Sequence, residues 1–260
     1  MPDRTLPRIE IDGRAATVES MWSAFGGYGH FTAMQVRDRT VRGVDLHLTR
    51  LEEGTRALFG AGLDGQRVRE LIRHALADDI RDASVRVIVS GGDVAAVSVM
   101  VAVREPATMP NIPQVLRSVP YQRPFAHIKH LGGFGQAFYG RLVRGEGFDE
   151  ALLVGPDGTV AEGSVTNIAF ADGDTVLWPD APALHGISMQ VLERELDRAG
   201  IPRARRAINV ADVGSFDGAF VTNSRGIAPV GRIDETGLST GADLVSAAVR
   251  LFEAAPWDPI

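Results

Sequence analysis

The sequence contains no cysteine, which excludes disulfide bonds, thiolate metal sites and cysteine nucleophiles. Lysine is almost absent as well, because only Lys129 among the 27 basic residues is a lysine and all the others are arginines. Long uncharged apolar runs are also missing, and the first residues carry no apolar signal-peptide core. We therefore expect a cytoplasmic protein without membrane-spanning segments.

The sequence also lacks clusters of positive charge. The net charge is −6 and the basic residues are dispersed, which argues against a surface for nucleic acid or anionic membranes. His127 and His130 form the only close histidine pair and have no carboxylate in helical register beside them, so we predict no metal site. A chain of 260 residues that is 45% hydrophobic fits a globular enzyme with one large α/β domain or two compact ones.

Local sequence patterns predict a mixture of helices and strands, arranged in two domains. A helix is expected from the N-cap Asp45 to Gly60. Prolines crowd the stretch 105–125, which predicts a connection, and we assign a small domain to 1–118, a connector to 119–127 and a larger domain to 128–260. The other predicted helices are 65–79, 135–144 and 186–200, and the predicted strands are 9–15, 31–37, 84–90, 94–103, 150–154, 159–160, 165–171, 176–178, 204–210 and 219–222.

The single lysine is the first candidate for chemistry. An arginine guanidinium stays protonated and cannot act as an amine nucleophile, whereas a lysine in an apolar setting can. Lys129 lies in the apolar, glycine-rich stretch 126–135. The alternative is that an arginine-rich genome has replaced nearly every lysine and that the survivor has no role. Composition alone leaves both interpretations open.

Three other features carry groups that bind anions or protons. Arg50 interrupts the apolar face of the first long helix. It is either a functional cation or a solvated helix charge. Glu162 ends a predicted strand and is followed by small residues. It is either a carboxylate of the site or a solvent-facing turn residue. Segments 186–188 and 222–226 offer backbone N–H groups and hydroxyls to an anion, or serve only as a cap and a turn.

Together these groups match the needs of pyridoxal 5'-phosphate. Its aldehyde needs a lysine for a Schiff base, and its ring nitrogen needs an acidic partner to stay protonated. Its phosphate needs arginine and N–H donors.

At these residues the sequence resembles the class IV aminotransferases, the fold type IV pyridoxal phosphate enzymes that include branched-chain aminotransferases, D-amino acid transaminases and aminodeoxychorismate lyases. The stretch 47–51, His-Leu-x-Arg-Leu, is similar to the phosphate-binding arginine motif, and Lys129 stands where the Schiff-base lysine is expected. The most specific segment is 150–168, which contains Glu162-Gly163-Ser164 and Asn167-Ile168. Segment 186–188 resembles a Gly-Ile-Thr phosphate turn. Segment 220–230 resembles the last phosphate loop with about one residue fewer.

The resemblance implies a small N-terminal α/β domain, a larger C-terminal domain with a barrel-like β core, and a homodimer with the active site near the subunit interface. It implies that Lys129 forms the Schiff base and moves the substrate proton, that Arg50 binds phosphate, and that Glu162 partners the ring nitrogen. The implied cofactor-binding residues are Arg50, Lys129, Glu162, Asn167, Ile187, Ser188, Asn223 and Ser224.

The substrate side departs from familiar members. Residues 130–133 replace the usual Thr-x-Asn-Arg or Thr-x-Asn-Tyr sequence after the lysine. Phe-Thr-Ala stands at 31–33 where lyases often have Phe-Thr-Thr, and Gly-Gly at 91–92 replaces an arginine that could bind substrate carboxylates. The substrate candidates, each of which could instead be a core or dimer-contact residue, are Tyr28, His30, Thr32 and His130.

We therefore expect an aminotransferase that exchanges an amino group between an amino acid or amine and a 2-oxo acid or other carbonyl acceptor. One alternative is a lyase that releases pyruvate from an aminodeoxychorismate-like substrate. Another is a catalytically silent member that keeps the fold for binding, although such a scaffold would need neither Lys129 nor Glu162.

Overall fold

The computed structural model describes residues 6–91, 97–110 and 112–260, without the side chains of residues 22–24. Its helices are α1 (Val18–Phe25), α2 (Val44–Phe59), α3 (Gly65–Leu76), α4 (Phe134–Gly145), α5 (Ile187–Ala199) and α6 (Asp243–Ala254), with a 3-10 helix at Val210–Ser215. Its strands are β1 (Arg8–Ile11), β2 (Arg14–Ala15), β3 (Gly29–Val36), β4 (Thr40–Val41), β5 (Ala83–Gly91), β6 (Val97–Arg104), β7 (Gln114–Pro120), β8 (Glu150–Val154), β9 (Val160–Gly163), β10 (Asn167–Asp172), β11 (Thr175–Pro179), β12 (Arg203–Arg206), β13 (Gly218–Asn223), β14 (Gly226–Ile233), β15 (Thr236–Gly237) and β16 (Asp258–Pro259).

The chain folds into two compact units. The first contains the described residues up to Ala107 together with Ile128–Gly132 and Pro256–Ile260, and the second contains Thr108–His127 and Gly133–Ala255. This division differs from the expected ranges 1–118, 119–127 and 128–260. Strand β7 pairs with β8 and β14 and so belongs to the second unit, whereas residues 128–132 run beside β3.

The first unit is an antiparallel sheet covered by helices on one face. Its strand order is β2-β1-β6-β5-β3, and the short strand β16 pairs with β4. Alternate β5 residues, Val85, Val87 and Val89, are fully buried in one core with Leu51 of α2 and Ile72 of α3. This period-two burial is what a sheet with one covered face requires.

The start of α2 corrects one sequence-based expectation. Gly43, not Asp45, is the N-cap, and its φ of 65° lies in the left-handed region that glycine adopts readily. The predicted end at Gly60 is confirmed, again with a left-handed conformation. The turn between the predicted strands 84–90 and 94–103 lies largely outside the described part of the chain, although β5 and β6 pair antiparallel.

The second unit is a large mixed sheet that curls. Its order is β12-β11-β10-β13-β14-β7-β8-β9, with β15 attached to β14, and β9 also contacts β10 and β11. Phe170, Trp178 and Phe220 are among its largest fully buried side chains. The predicted strand 204–210 is wrong at its end, because the strand stops at Arg206 and a 3-10 helix begins at Val210. In the described part of the chain, no helix has the length and apolar character to cross a membrane.

Candidate active site

Lys129 is held by backbone pairing at the edge of the first sheet. The Phe31 N–H donates a 2.9 Å hydrogen bond to the Lys129 carbonyl, and the Leu131 N–H donates one of 2.9 Å to the Gly29 carbonyl. The half-buried side chain places its Nζ 5.0 Å from the centre of the Phe31 ring. The backbone of the only lysine is therefore fixed on a strand, and its amine lies beside an apolar ring.

Arg50 lies on α2, three residues after His47. His47 is buried, and its Nδ1 is 2.6 Å from the Thr32 hydroxyl. Burial, followed by the positive charges of Arg50 and Lys129, lowers the pKa of His47 to about 3, and Asp45 acts weakly in the other direction. The imidazole is therefore neutral near pH 7, and both cations are close enough to act on it. Two cations acting at one point create a potential that favours an anion.

The four substrate candidates occupy different environments within the first unit. His30 and Thr32 are buried and bonded to α2, His30 through Nε2 to the Thr55 hydroxyl at 3.0 Å. Tyr28 is exposed and donates its hydroxyl to the Leu58 carbonyl at 3.0 Å. His130 is half-buried in a backbone bridge with His30. His30 and Thr32 thus point to the helix-covered face of β3, and a role for any of the four in substrate binding stays a prediction.

Glu162 of β9 is a buried carboxylate in the second unit. It is only 4% exposed, and its Oε2 accepts a 3.1 Å hydrogen bond from the Leu184 N–H. Its Oε1 faces the guanidinium of Arg123 at 3.6 Å. The interpretation of Glu162 as a solvent-facing turn residue does not fit this burial. A buried acceptor of this kind suits a protonated ring nitrogen.

Asn167 links Glu162 to the start of α5. Its Nδ2 donates a 2.6 Å hydrogen bond to the carbonyl of Leu184, the residue whose N–H binds Glu162. Its Oδ1 lies so close to Gly186 that a Cβ at that position would be 2.0 Å away. The glycine before α5 is therefore required by close approach of the asparagine side chain.

The first turn of α5 meets the end of β13. Gly186 is the N-cap of this helix and supplies no side-chain cap, and Ile187 and Ser188 follow it. The Ser188 hydroxyl donates a 2.7 Å hydrogen bond to the Asn223 carbonyl. Asn223 in turn accepts a 2.8 Å bond from the Arg225 N–H, and Ser224 is half-buried between them in the chain. Uncapped N–H groups beside a polar turn form a site suited to phosphate.

The structure groups the predicted residues within each unit. Arg50 and Lys129 both act on His47 in the first unit. In the second, Glu162 and Asn167 both bind the Leu184 backbone, and Ser188 binds the Asn223 carbonyl at the start of α5.

Sequence reasoning assigned no role to four residues near these groups, namely His47, Phe31, Arg86 and Arg123. His47 stood in the arginine motif, three positions before Arg50, but its contact with Thr32, which was expected only as a substrate candidate, gave no sequence signal. Phe31 and Arg86 were hidden by strand pairing, and the guanidinium carbon of Arg86 lies 4.6 Å from the centre of the Phe31 ring. Arg123 fell in the proline-rich stretch that was interpreted as a connector, where no sequence signal marks a buried cation.

Comparison with known proteins assigns the chain to a family. A hypothetical aminotransferase from Mycobacterium tuberculosis, solved in a PLP-bound form, superimposes with a TM-score of 0.82 at 21% identity and covers 95% of this chain and 98% of its own. A putative 4-amino-4-deoxychorismate lyase from Legionella pneumophila gives 0.81 at 19% identity, covering 90% and 93%. The branched-chain aminotransferase from Escherichia coli gives 0.82 at 16% identity, covering 94% and 92%.

These similarities confirm the predicted fold type IV architecture. Comparison with curated proteins gives no match. The model of the family described as amino-transferase class IV matches residues 29–233, which is most of the chain. The chain therefore belongs to the class IV aminotransferase family.

Proposed function

We propose that this protein is a pyridoxal phosphate-dependent aminotransferase that exchanges an amino group between an amino acid or amine and a 2-oxo acid or other carbonyl acceptor. The observation that carries the proposal is the position of Lys129. The backbone of the only lysine in the sequence is fixed beside β3, and its charge acts on His47 together with that of Arg50. This is the combination that an aldehyde cofactor with a phosphate requires.

The second unit also fits this cofactor. Glu162 offers a buried carboxylate to the ring nitrogen, and the uncapped N–H groups at the start of α5 offer donors to the phosphate. Gly186 leaves room for the Asn167 side chain beside these donors, because a Cβ there would collide with Asn167. We assign Asn167, Ile187, Ser188, Asn223 and Ser224 to the same binding role.

When bound, pyridoxal phosphate supplies an electron sink that stabilises negative charge developing at the substrate α-carbon. Lys129 would hold the cofactor covalently, and its amine would move a proton to and from the substrate α-carbon. Arg50 binds the phosphate with its guanidinium. Glu162 accepts a hydrogen bond from the protonated ring nitrogen. Phe31 shields the Lys129 amine from water on one side.

Covalent trapping with borohydride tests the proposal. The parent protein should retain the cofactor after reduction and denaturation, whereas Lys129→Ala should lose both the trapped cofactor and turnover. Lys129→Arg is the matched control, since it keeps the positive charge but removes the nucleophile, and it should behave like Lys129→Ala. Equal trapping in the parent and both variants, with circular dichroism showing intact folds, contradicts the assignment.

A lyase reaction is the second candidate, because one protein of similar fold is described as a putative 4-amino-4-deoxychorismate lyase. The two reactions differ in their need for an acceptor. Release of pyruvate from such a substrate without any carbonyl acceptor would favour the lyase. Acceptor-dependent conversion of the bound cofactor to its amino form would favour the aminotransferase.

We also propose a homodimer, supported by an apolar stripe on α4. Phe134, Phe138 and Leu142 repeat every four residues on one side of this helix and are 81%, 51% and 47% exposed. Phe138→Glu should shift the mass measured by light scattering from dimer to monomer, and an unchanged mass would count against this face. A cytoplasmic location, expected from the composition, also stays a proposal, testable by cell fractionation.

A further inference from the structure

Arg123 is a buried cation that the proposed reaction has not used. It is 5% exposed and follows β7 in the segment before Lys129. Its Nη1 donates a 3.2 Å hydrogen bond to the Ala126 carbonyl and lies 3.6 Å from Glu162 Oε1. A guanidinium removed from water at this depth needs an anionic partner, and Glu162 is that partner.

The pair has an electrostatic consequence for the carboxylate. A buried carboxylate far from any cation tends to take up a proton, whereas one beside a fixed cation stays ionised. Arginine is suited to this task because it keeps its own proton even when buried. Burial lowers the pKa of Arg123 and the charge of Glu162 raises it again, as expected for two groups that stabilise each other's charged forms.

The Arg123 contact also fixes the orientation of the Glu162 carboxylate. Glu162 Oε2 is held by the Leu184 N–H and Oε1 faces Arg123, so the carboxylate is fixed from two sides. An ionised carboxylate can only accept hydrogen bonds, whereas a protonated one can present a donor. A ring nitrogen that carries a proton needs the acceptor.

We propose that Arg123 is a positioning residue that keeps Glu162 ionised and oriented, so that Glu162 accepts the hydrogen bond of the cofactor's ring nitrogen. This inference rests on the proposed function. It assigns a role to a residue that belongs to none of the motifs named in the sequence analysis, and it makes the charge state of the ring nitrogen depend on two protein groups.

The test is a double-mutant cycle of Arg123→Met and Glu162→Gln. Three quantities are measured: the turnover number, the dissociation constant of pyridoxal phosphate, and the pH midpoint of the bound cofactor's visible absorbance. In the parent background, Arg123→Met should lower turnover by about tenfold or more and shift the midpoint by about one pH unit. In the Glu162→Gln background, the same change should alter turnover and the dissociation constant by less than about twofold and the midpoint by less than about 0.3 pH unit, because the charge that Arg123 acts on is gone.

Two further variants separate positioning from simple folding support. Arg123→Lys keeps the charge and should retain the parent midpoint, and Arg232→Met removes another partly buried arginine of the same unit that binds a backbone carbonyl and should leave the midpoint unchanged. Should Arg123→Met fail to fold, Arg123→Gln keeps a donor for the Ala126 carbonyl and serves the same cycle.

The inference is overturned if loss of the Arg123 charge leaves the midpoint and turnover at parent values. It is also overturned if the loss is equally large with Glu162→Gln, since Arg123 would then act only on the fold. Either result leaves the proposed function intact as long as Lys129 still traps the cofactor. Loss of trapping in the parent protein would instead contradict the proposed function itself.

Discussion

Lowering the pH should destabilise the fold through His47, the imidazole between α2 and β3. The structure lowers the pKa of His47 from 6.5 to about 3. Between these two values the unfolded chain binds a proton that the folded chain does not, so stability is present above pH 6.5 and is lost as the pH falls towards 3. From pH 7 to pH 5 this single group should reduce the free energy of unfolding by about 2 kcal/mol.

Urea denaturation of the cofactor-free protein at pH 5, 6 and 7 measures this effect. His47→Gln keeps a hydrogen-bond partner for Thr32 but cannot titrate, so the loss between pH 7 and pH 5 should shrink by about 2 kcal/mol. His30, whose pKa burial lowers to about 4, acts in the same direction, so part of the acid sensitivity should remain in the variant.

His127→Gln makes the same chemical change at an exposed side chain and is the matched control. It should keep the pH dependence of the parent. If His47→Gln shows the parent's dependence as well, then His47 takes up a proton in the folded state as readily as in the unfolded one, and the lowering of its pKa by burial and by Arg50 and Lys129 is wrong.

Three further predictions concern the site. Gly186→Ala should destabilise the protein by about 1–3 kcal/mol in urea denaturation and weaken cofactor binding, because the new Cβ collides with Asn167; Gly145→Ala, with nothing within 4 Å, should do neither. Glu162→Ala should cut turnover by about 100-fold or more while sparing much of the cofactor binding, as measured by steady-state kinetics and absorbance titration; equal rates would refute its role. Arg86 lies with the Lys129 amine at the Phe31 ring, where its guanidinium would bind a second substrate carboxylate, so Arg86→Met should raise KM about tenfold for 2-oxoglutarate and change KM for pyruvate, which lacks that carboxylate, by less than about twofold; equal changes for both acceptors would contradict this role.

Four helices, α2 to α5, were predictable from sequence. The helices α1 and α6 and the strands β4, β7, β14, β15 and β16 were missed. Helix α2 ends at Gly60 as expected, because a left-handed glycine terminates a helix locally. Strand β7 was missed because Pro113 precedes it and Pro120 is its last residue. These prolines made the whole stretch resemble a connector. Proline is tolerated at the end of a strand, so only the long-range parallel pairing with β8 and β14 reveals this element.

Residues of the candidate site that belong to motifs could be predicted, whereas their partners could not. Arg50, Lys129 and Glu162 stand in recognisable local patterns. Arg123 meets Glu162 across 39 positions of sequence, and Thr32 meets His47 through the packing of a helix on a sheet. Such pairs depend on tertiary packing, which a single sequence does not encode as a spacing.

Strand β3 explains why two of the substrate candidates, His30 and Thr32, lie on a different face from the Phe31 ring that contacts Lys129. Side chains alternate along a strand, so His30 and Thr32 face α2 while Phe31 lies between them on the other face. The helix-facing pair supports the helix that carries Arg50. The opposite face brings the Phe31 ring to the Lys129 amine and to Arg86. Substrate discrimination should therefore change more with substitutions at Phe31 and Arg86 than with substitutions at Thr32 and His30, which should change stability first.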